Sequence, residues 1–291
     1  MDTRVKAAWI SVASNTTLML SKFIVGISIG SVSVISEAIH SANDLLASFI
    51  AVFAVKKSSD PPDERHPYGH GKIENVSGTI EALLIFIAAI LIINEAIKKI
   101  TTGSQVDAIG WGIAVMGISA VINWFVSAYL LKVAHETDSI ALEADGMHLR
   151  TDVYTSLGVF VGLIMIHFTG WNIIDPIAAI LVALLIIKAA YDLTKKAFMP
   201  LVDVALDDEI IMVIEDILAE EKDCYLEYHD LRTRKAGRES HIDFHLVIDE
   251  EKTVKEAHDI CDKIETRIKD AIPYAHILIH VEPGKLGNTN S

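Results

Sequence analysis

Cysteine is scarce: the 291 residues hold two, Cys224 and Cys261, outside any C-x-x-C arrangement. That leaves no disulfide framework to read and implies free thiols in a reducing compartment. A basic excess is missing too, with Lys and Arg numbering 25 against 39 Asp and Glu, a net charge of -14. Nucleic acid is therefore not an expected partner, and the acid surplus, mostly beyond residue 202, reads as a solvated cytosolic surface. The first apolar run has no small-residue cleavage site and carries Lys22 midway, so it is read as a retained spanning helix and not as a signal peptide. The H-E-x-x-H motif of zinc proteases is absent: neither "HSAND" nor "HLRTD" sets a base beside its His, and no enzyme is expected.

What is plentiful is apolar surface. Hydrophobic residues make up 51% of the chain, and mean hydropathy is +0.38. Six apolar stretches, near residues 8–30, 32–55, 76–97, 109–132, 142–167 and 172–194, each reach the ~20 residues a helix needs to cross a bilayer. Arg4, Lys6, Lys56, Lys57, Arg65, Lys72, Lys132, Lys195 and Lys196 fall on one side of such a bundle, which places both termini in the cytoplasm; Lys98 and Lys99 are the exceptions. Beyond residue 202 the pattern changes to helix, hairpin, helix and strand, with the hairpin turning at Ala236 and Gly237. The expected fold class is an α-helical membrane protein: six transmembrane helices over residues 1–200, then a cytosolic α+β domain over 201–291, ordered αββαβ and ferredoxin-like. Pro200 and "DVALDDE" mark the boundary.

Ionisable residues inside apolar helices carry the functional signal. A charged side chain at mid-bilayer costs ~2.5–3.5 kcal/mol on insertion scales, so such residues persist mainly where they line a site or pathway. The second span carries His40 and Asp44; the fifth carries His148 and Asp152, and Ser48 and Ser156 follow each pair at the same spacing. Each H-x-x-x-D pair lies on one helical face. The two spans run antiparallel as members of a three-plus-three inverted repeat. Facing each other, they offer two imidazoles and two carboxylates, a set that suits tetrahedral Zn²⁺. The plainer alternative is that each His bonds its own Asp or a neighbouring helix. Mg²⁺ and Ca²⁺ call for more oxygen and Cu⁺ for sulfur, whereas Fe²⁺, Co²⁺, Cd²⁺ and Mn²⁺ stay open. Lys22 is read as structural, pairing with Glu37 or Glu81 or snorkelling. Glu37 and Asp145, each three residues before a candidate ligand, are read as supporting groups.

Two further clusters lie outside the spans. In "DPPDERHPYGHGKIE", Asp63, His66 and His70 have spacing sufficient for three ligands of a surface metal site, or are solvated loop residues. In the tail, His241, Asp243 and His245 alternate with Ile242, Phe244 and Leu246, and His280 and Glu282 alternate with Ile279 and Val281. Each strand thus has one apolar and one ligand-bearing face.

"HPYGHGKIE", the two H-x-x-x-D pairs, "IIDPIAA" in the sixth span and "HDLRTRKAG" in the tail together resemble the cation diffusion facilitator family, of the bacterial zinc-exporter type, over almost the whole chain. The resemblance implies that His40, Asp44, His148 and Asp152 bind the transported metal. It also marks His229, His245, His258, His280 and Glu282 as a regulatory metal site near a homodimer interface. Many relatives have Asp at the position of His40 or of Glu282, and "KVAHETDSI" lacks the long His-rich loop of eukaryotic members, which points to a prokaryotic inner membrane. The expected function is divalent-metal efflux as a Zn²⁺/H⁺ antiporter working by alternating access. A passive uniporter or channel and a membrane-tethered metal sensor are the alternatives. Expected partners are a second copy of the chain, the lipid bilayer, divalent metal ions and protons.

Overall fold

The computed structural model describes residues 2–29, 32–102, 111–169, 171 and 173–285. The chain divides into two compact units, Met1–Phe198 and Met199–Ser291.

The first unit is built from α1 (Thr3–Ile29), α2 (Val32–Ser58), α3 (Lys72–Thr102), α4 (Trp111–Thr137), α5 (Ile140–Thr169) and α6 (Ile174–Phe198). Among the described residues five of these helices are long and apolar enough to cross a membrane. α5 matches them in length at 30 residues. α1 packs on α2, α4 on α5 and α3 on α6, with α2 meeting α5, which is the pairing that two inverted three-helix halves produce. Small side chains set the close contacts, since Ala7, Ala8, Ala51, Ala82, Ala89, Ala141, Ala144 and Ala190 are fully buried. Lipid tails give helices no hydrophobic reason to associate, so close backbone approach must supply the attraction. Gly158 on α5 is the extreme case: a Cβ there would stand 2.6 Å from Val182 Cγ2 on α6.

The second unit opens with a 3₁₀ turn at Met199–Val202, followed by α7 (Asp208–Glu220), β1 (Glu227–Ala236), β2 (Glu239–Asp249), α8 (Val254–Ala271) and β3 (Ala275–Gly284). The order matches the sequence pattern. The sheet runs β1-β2-β3, antiparallel between β1 and β2 and parallel between β2 and β3, with α8 as the crossover that a parallel pair needs. Ile214, Leu218, Ile242, Phe244, Leu246, Ile264 and Ile268 form its core. A capping box starts α8, in which Thr253 Oγ1 accepts from the Glu256 N–H and the Glu256 side chain returns the bond.

The hairpin turns one residue later than the sequence pattern suggests. Ala236 still pairs with Glu239, leaving Gly237 and Arg238 at the turn, with Gly237 taking the positive φ of 62° that glycine adopts without steric cost. β1 also carries a bulge: His229 pairs with His245 and Arg232 with Asp243, so Asp230 and Leu231 together oppose one residue. Asp230 absorbs it at φ 58°. The bulge puts His229 and Arg232 on one face of the sheet, where unbroken alternation would have put them on opposite faces.

Candidate metal centre

The two H-x-x-x-D pairs meet across α2 and α5 in crossed fashion. His148 Nε2 lies 3.3 Å from Asp44 Oδ1, and His40 Nε2 lies 3.9 Å from Asp152 Oδ1. His40, Asp44 and Asp152 each place one ligand atom within 4.8 Å of the others. Ligand atoms held tetrahedrally at 2.0–2.1 Å from one Zn²⁺ stand about 3.4 Å apart, so the Asp44–His148 spacing already fits and the His40–Asp152 spacing needs a small closure. Each His is thus within reach of the other helix's carboxylate, and His40 converges with Asp44 of its own helix as well. Asp152 Oδ2 is buried without a hydrogen-bond partner, as a group awaiting a cation would be.

The site is asymmetric in access. The His40 and Asp152 side chains are 57% and 22% exposed, and with Asp44, Lys22, Ser119, Asn123 and Ser156 they line a cavity of about 90 Å³. These residues lie on the halves of α1, α2, α4 and α5 away from the N terminus. Toward the other end the site is closed. Asp145 is fully buried and accepts a 3.0 Å bond from Ser48 Oγ, whose oxygen accepts from Asn15 Nδ2 at 2.8 Å and lies 2.9 Å from Ser11 Oγ. Asp145 is thus held against α1 and α2 one turn from His148. The Glu37 side chain lies outside the described residues. Arg150, between the two α5 ligands in sequence, turns onto the Trp124 ring of α4, 4.5 Å from its centroid. Lys22 Nζ donates to Ser41 Oγ at 2.8 Å, and Glu81 accepts from Ser77.

In the loop between α2 and α3, His66 Nδ1 is 3.1 Å and His70 Nε2 3.4 Å from Asp63, and their ligand atoms converge within 4.8 Å. The backbone N–H of His66, foremost, holds the Asp63 carboxyl below its ordinary range. His70 is buried with neither ring nitrogen hydrogen-bonded, which a merely solvated loop residue would not be.

On the open face of the second unit's sheet, His229, His245 and Glu282 form the third convergent group. His245 Nδ1 is 3.0 Å from Glu282 Oε1, and His229 Nε2 is 3.6 Å from Oε2. His280 lies beside them, its ring centroid 4.8 Å from that of His245 and its plane tilted by 60°. His258 does not join: it sits on α8, 71% exposed, 3.5 Å from Asp262.

Sequence reasoning singled out Lys22 on α1 but missed the buried polar stripe it belongs to. Arg4, Ser11, Asn15 and Lys22 are all nearly inaccessible, and their spacings of seven, four and seven residues put them on one helical stripe. That periodicity was the available signal.

A family model described as the cation efflux transmembrane domain matches residues 8–202, and one described as the cation efflux protein cytoplasmic domain matches residues 206–284. The chain is 34% identical over 254 residues to the uncharacterized transporter sll1263 of Synechocystis sp., covering 87% of this chain and 82% of that one. It is 31% identical over 273 residues to the cation-efflux pump FieF of Shewanella oneidensis, with 94% and 92% covered. To the manganese efflux system protein MneP of Bacillus subtilis it is 30% identical over 285 residues, with 96% and 95% covered.

Proposed function

The chain belongs to the cation diffusion facilitator, or cation efflux, family, multi-pass membrane transporters of divalent metal ions and not enzymes, and from that premise we propose a Zn²⁺/H⁺ antiporter. The observation that carries the reading is the crossed pairing of Asp44 with His148 and of His40 with Asp152. Two nitrogens and two carboxylate oxygens give a borderline ligand set matched to Zn²⁺. MneP shows that a similar chain can serve manganese, so cargo identity rests on these four side chains.

The basic residues favour cytoplasmic termini in a prokaryotic inner membrane. The accessible side of His40 and Asp152 then faces outward, and the geometry fits the outward-open member of an alternating-access pair. Metal reaches the four ligands from the cytosol, the bundle rocks, and protons replace the metal on the outer side. Metal requires a lone pair on each imidazole and both carboxylates ionised, so protons compete directly with it. Protons are more abundant at a mildly acidic exterior than in a neutral cytosol, so they compete better there. Asp63, His66 and His70 are proposed as a second, loop-borne metal site. His229, His245, His280 and Glu282 are proposed as a regulatory one that tightens a homodimer through its cytosolic domains; His258, apart from them, is the weakest member.

Substitution D44A or D152A tests the central site. Each should reduce zinc flux into proteoliposomes to background while leaving the purified chain folded, because three ligands hold a dehydrated ion poorly. Near-normal flux in either variant rejects it.

A further inference from the structure

Glu81 on α3 is fully inaccessible. Ser77 Oγ, one turn earlier on the same helix, donates to Oε1 at 3.2 Å, and Oε2 is buried with no hydrogen-bond partner. The charge that acts on it comes from Asp145 on α5, an acid of like sign. α2 and α6 also pack on α3, and among the described residues they bring no acting charge. Glu74, two turns earlier, is almost as deeply buried but faces the Arg4 guanidinium at 2.6 Å. An ionised carboxylate shut away from water without a cation costs far more than a neutral carboxyl with one unpaired oxygen. Glu74, Ser77 and Glu81 share one face of α3 by their spacing, so this stripe runs inward from the Arg4–Glu74 pair and Glu81 belongs to the closed half of the bundle.

We propose that Glu81 is the proton site of an inner gate: it holds one proton while the end of the bundle near Arg4 and Glu74 is closed, and gives that proton to cytosolic water when this end opens. The proposal rests on the alternating-access reading. A glutamate in water is ionised above about pH 4.3, so the open arrangement binds one proton fewer than the closed one, and the open fraction rises with cytosolic pH. On closing, the proton is taken back from the same compartment. Glu81 therefore sets how readily the gate closes and adds nothing to the number of protons exchanged for metal. It stands apart from His40, Asp44, His148 and Asp152, whose protons compete with the cargo itself.

The test follows a cysteine introduced by A144C into the zinc-free full-length chain as it reacts with a water-soluble thiol reagent. Ala144 is fully inaccessible and packs in the same cluster as Ala82, the neighbour of Glu81, so it reacts only when this region opens. The chain without A144C corrects for Cys224 and Cys261. Dividing the A144C rate by that of A144C/E81Q at the same pH cancels the ionisation of the thiol, and glutamine keeps the shape of Glu81 without its proton. The ratio should rise by up to tenfold per pH unit from about pH 6 to about pH 8. A144C/E81D, which keeps a titrating carboxyl, should rise likewise. If E81Q does not fold, E81M takes its place. A ratio that does not change with pH overturns the proposal, as does an E81D chain that behaves like E81Q. A chain whose introduced cysteine never reacts at any pH, while zinc still crosses the membrane, instead removes the alternating-access reading, and the proposal with it.

Discussion

Arg4 Nη1 on α1 lies 2.6 Å from Glu74 Oε1 on α3, with both side chains only 2% exposed. Glu74 also accepts from Ser58 at the end of α2 and from Ser139 at the start of α5. Arg4 in turn donates to Ser59 and Asp2. One buried ion pair thus ties four helices together at the end opposite the open cavity, and opening a path from that end must break it. E74Q should lower stability by about 1–3 kcal/mol, because the buried guanidinium keeps Asp2 but loses its more buried carboxylate partner. The R4M/E74M double variant should recover most of the loss. Thermal unfolding in detergent measures both, and equal losses in the two variants contradict the account.

Metal choice should follow position 40. H40D exchanges a nitrogen for a hard oxygen at the more exposed end of the site, so discrimination against Mn²⁺ or Fe²⁺ should weaken several-fold relative to zinc. Competition for zinc uptake reads this directly. An unchanged metal ranking means that His40 is not a ligand.

The second unit should compact when zinc is added, because one ion joining His229, His245 and Glu282 pins β1, β2 and β3 and draws their open face toward a partner copy. The unit has its own core, so residues 199–291 alone suffice for X-ray scattering. H229A should remove the response. Scattering curves identical with and without zinc leave this face without a metal role.

Acid should loosen the contact between α7 and α8. Glu221 accepts from Lys263 and Arg267, and these partners, Lys263 first, hold its carboxyl below the ordinary value. A depressed carboxyl contributes stability in full above its unfolded pKa of about 4.3 and loses it as pH falls through the lower folded value. E221Q should therefore cost about 1 kcal/mol at neutral pH and progressively less below about pH 4. A stability gap independent of pH assigns the residue a packing role only.

Periodicity and ionisable residues in apolar helices made much of this legible in advance. The six helices, the αββαβ order and the H-x-x-x-D pairs are local patterns, and local patterns survive in a sequence. Which His faces which Asp is not local. The crossing of His40 to Asp152 and His148 to Asp44 depends on how α2 and α5 pack. His229 was marked by the family resemblance and not by the strand pattern: only the bulge at Asp230 and Leu231 brings it level with His245, and no alternation rule shows a bulge. Arg4 looked like one more positive charge at a cytoplasmic end until Glu74, 70 residues away, was seen to bury it.

The most direct test of the central claim is zinc accumulation in sealed proteoliposomes that start with equal zinc on both sides and an acidic lumen, with released protons counted. If metal and protons share the site of Asp44, His148, His40 and Asp152, zinc should concentrate in the acidic lumen, protons should leave it as zinc enters, and an ionophore that collapses the pH difference should stop both. Equal accumulation without a pH difference, or zinc flux with no accompanying proton movement, contradicts antiport and makes the protein a uniporter.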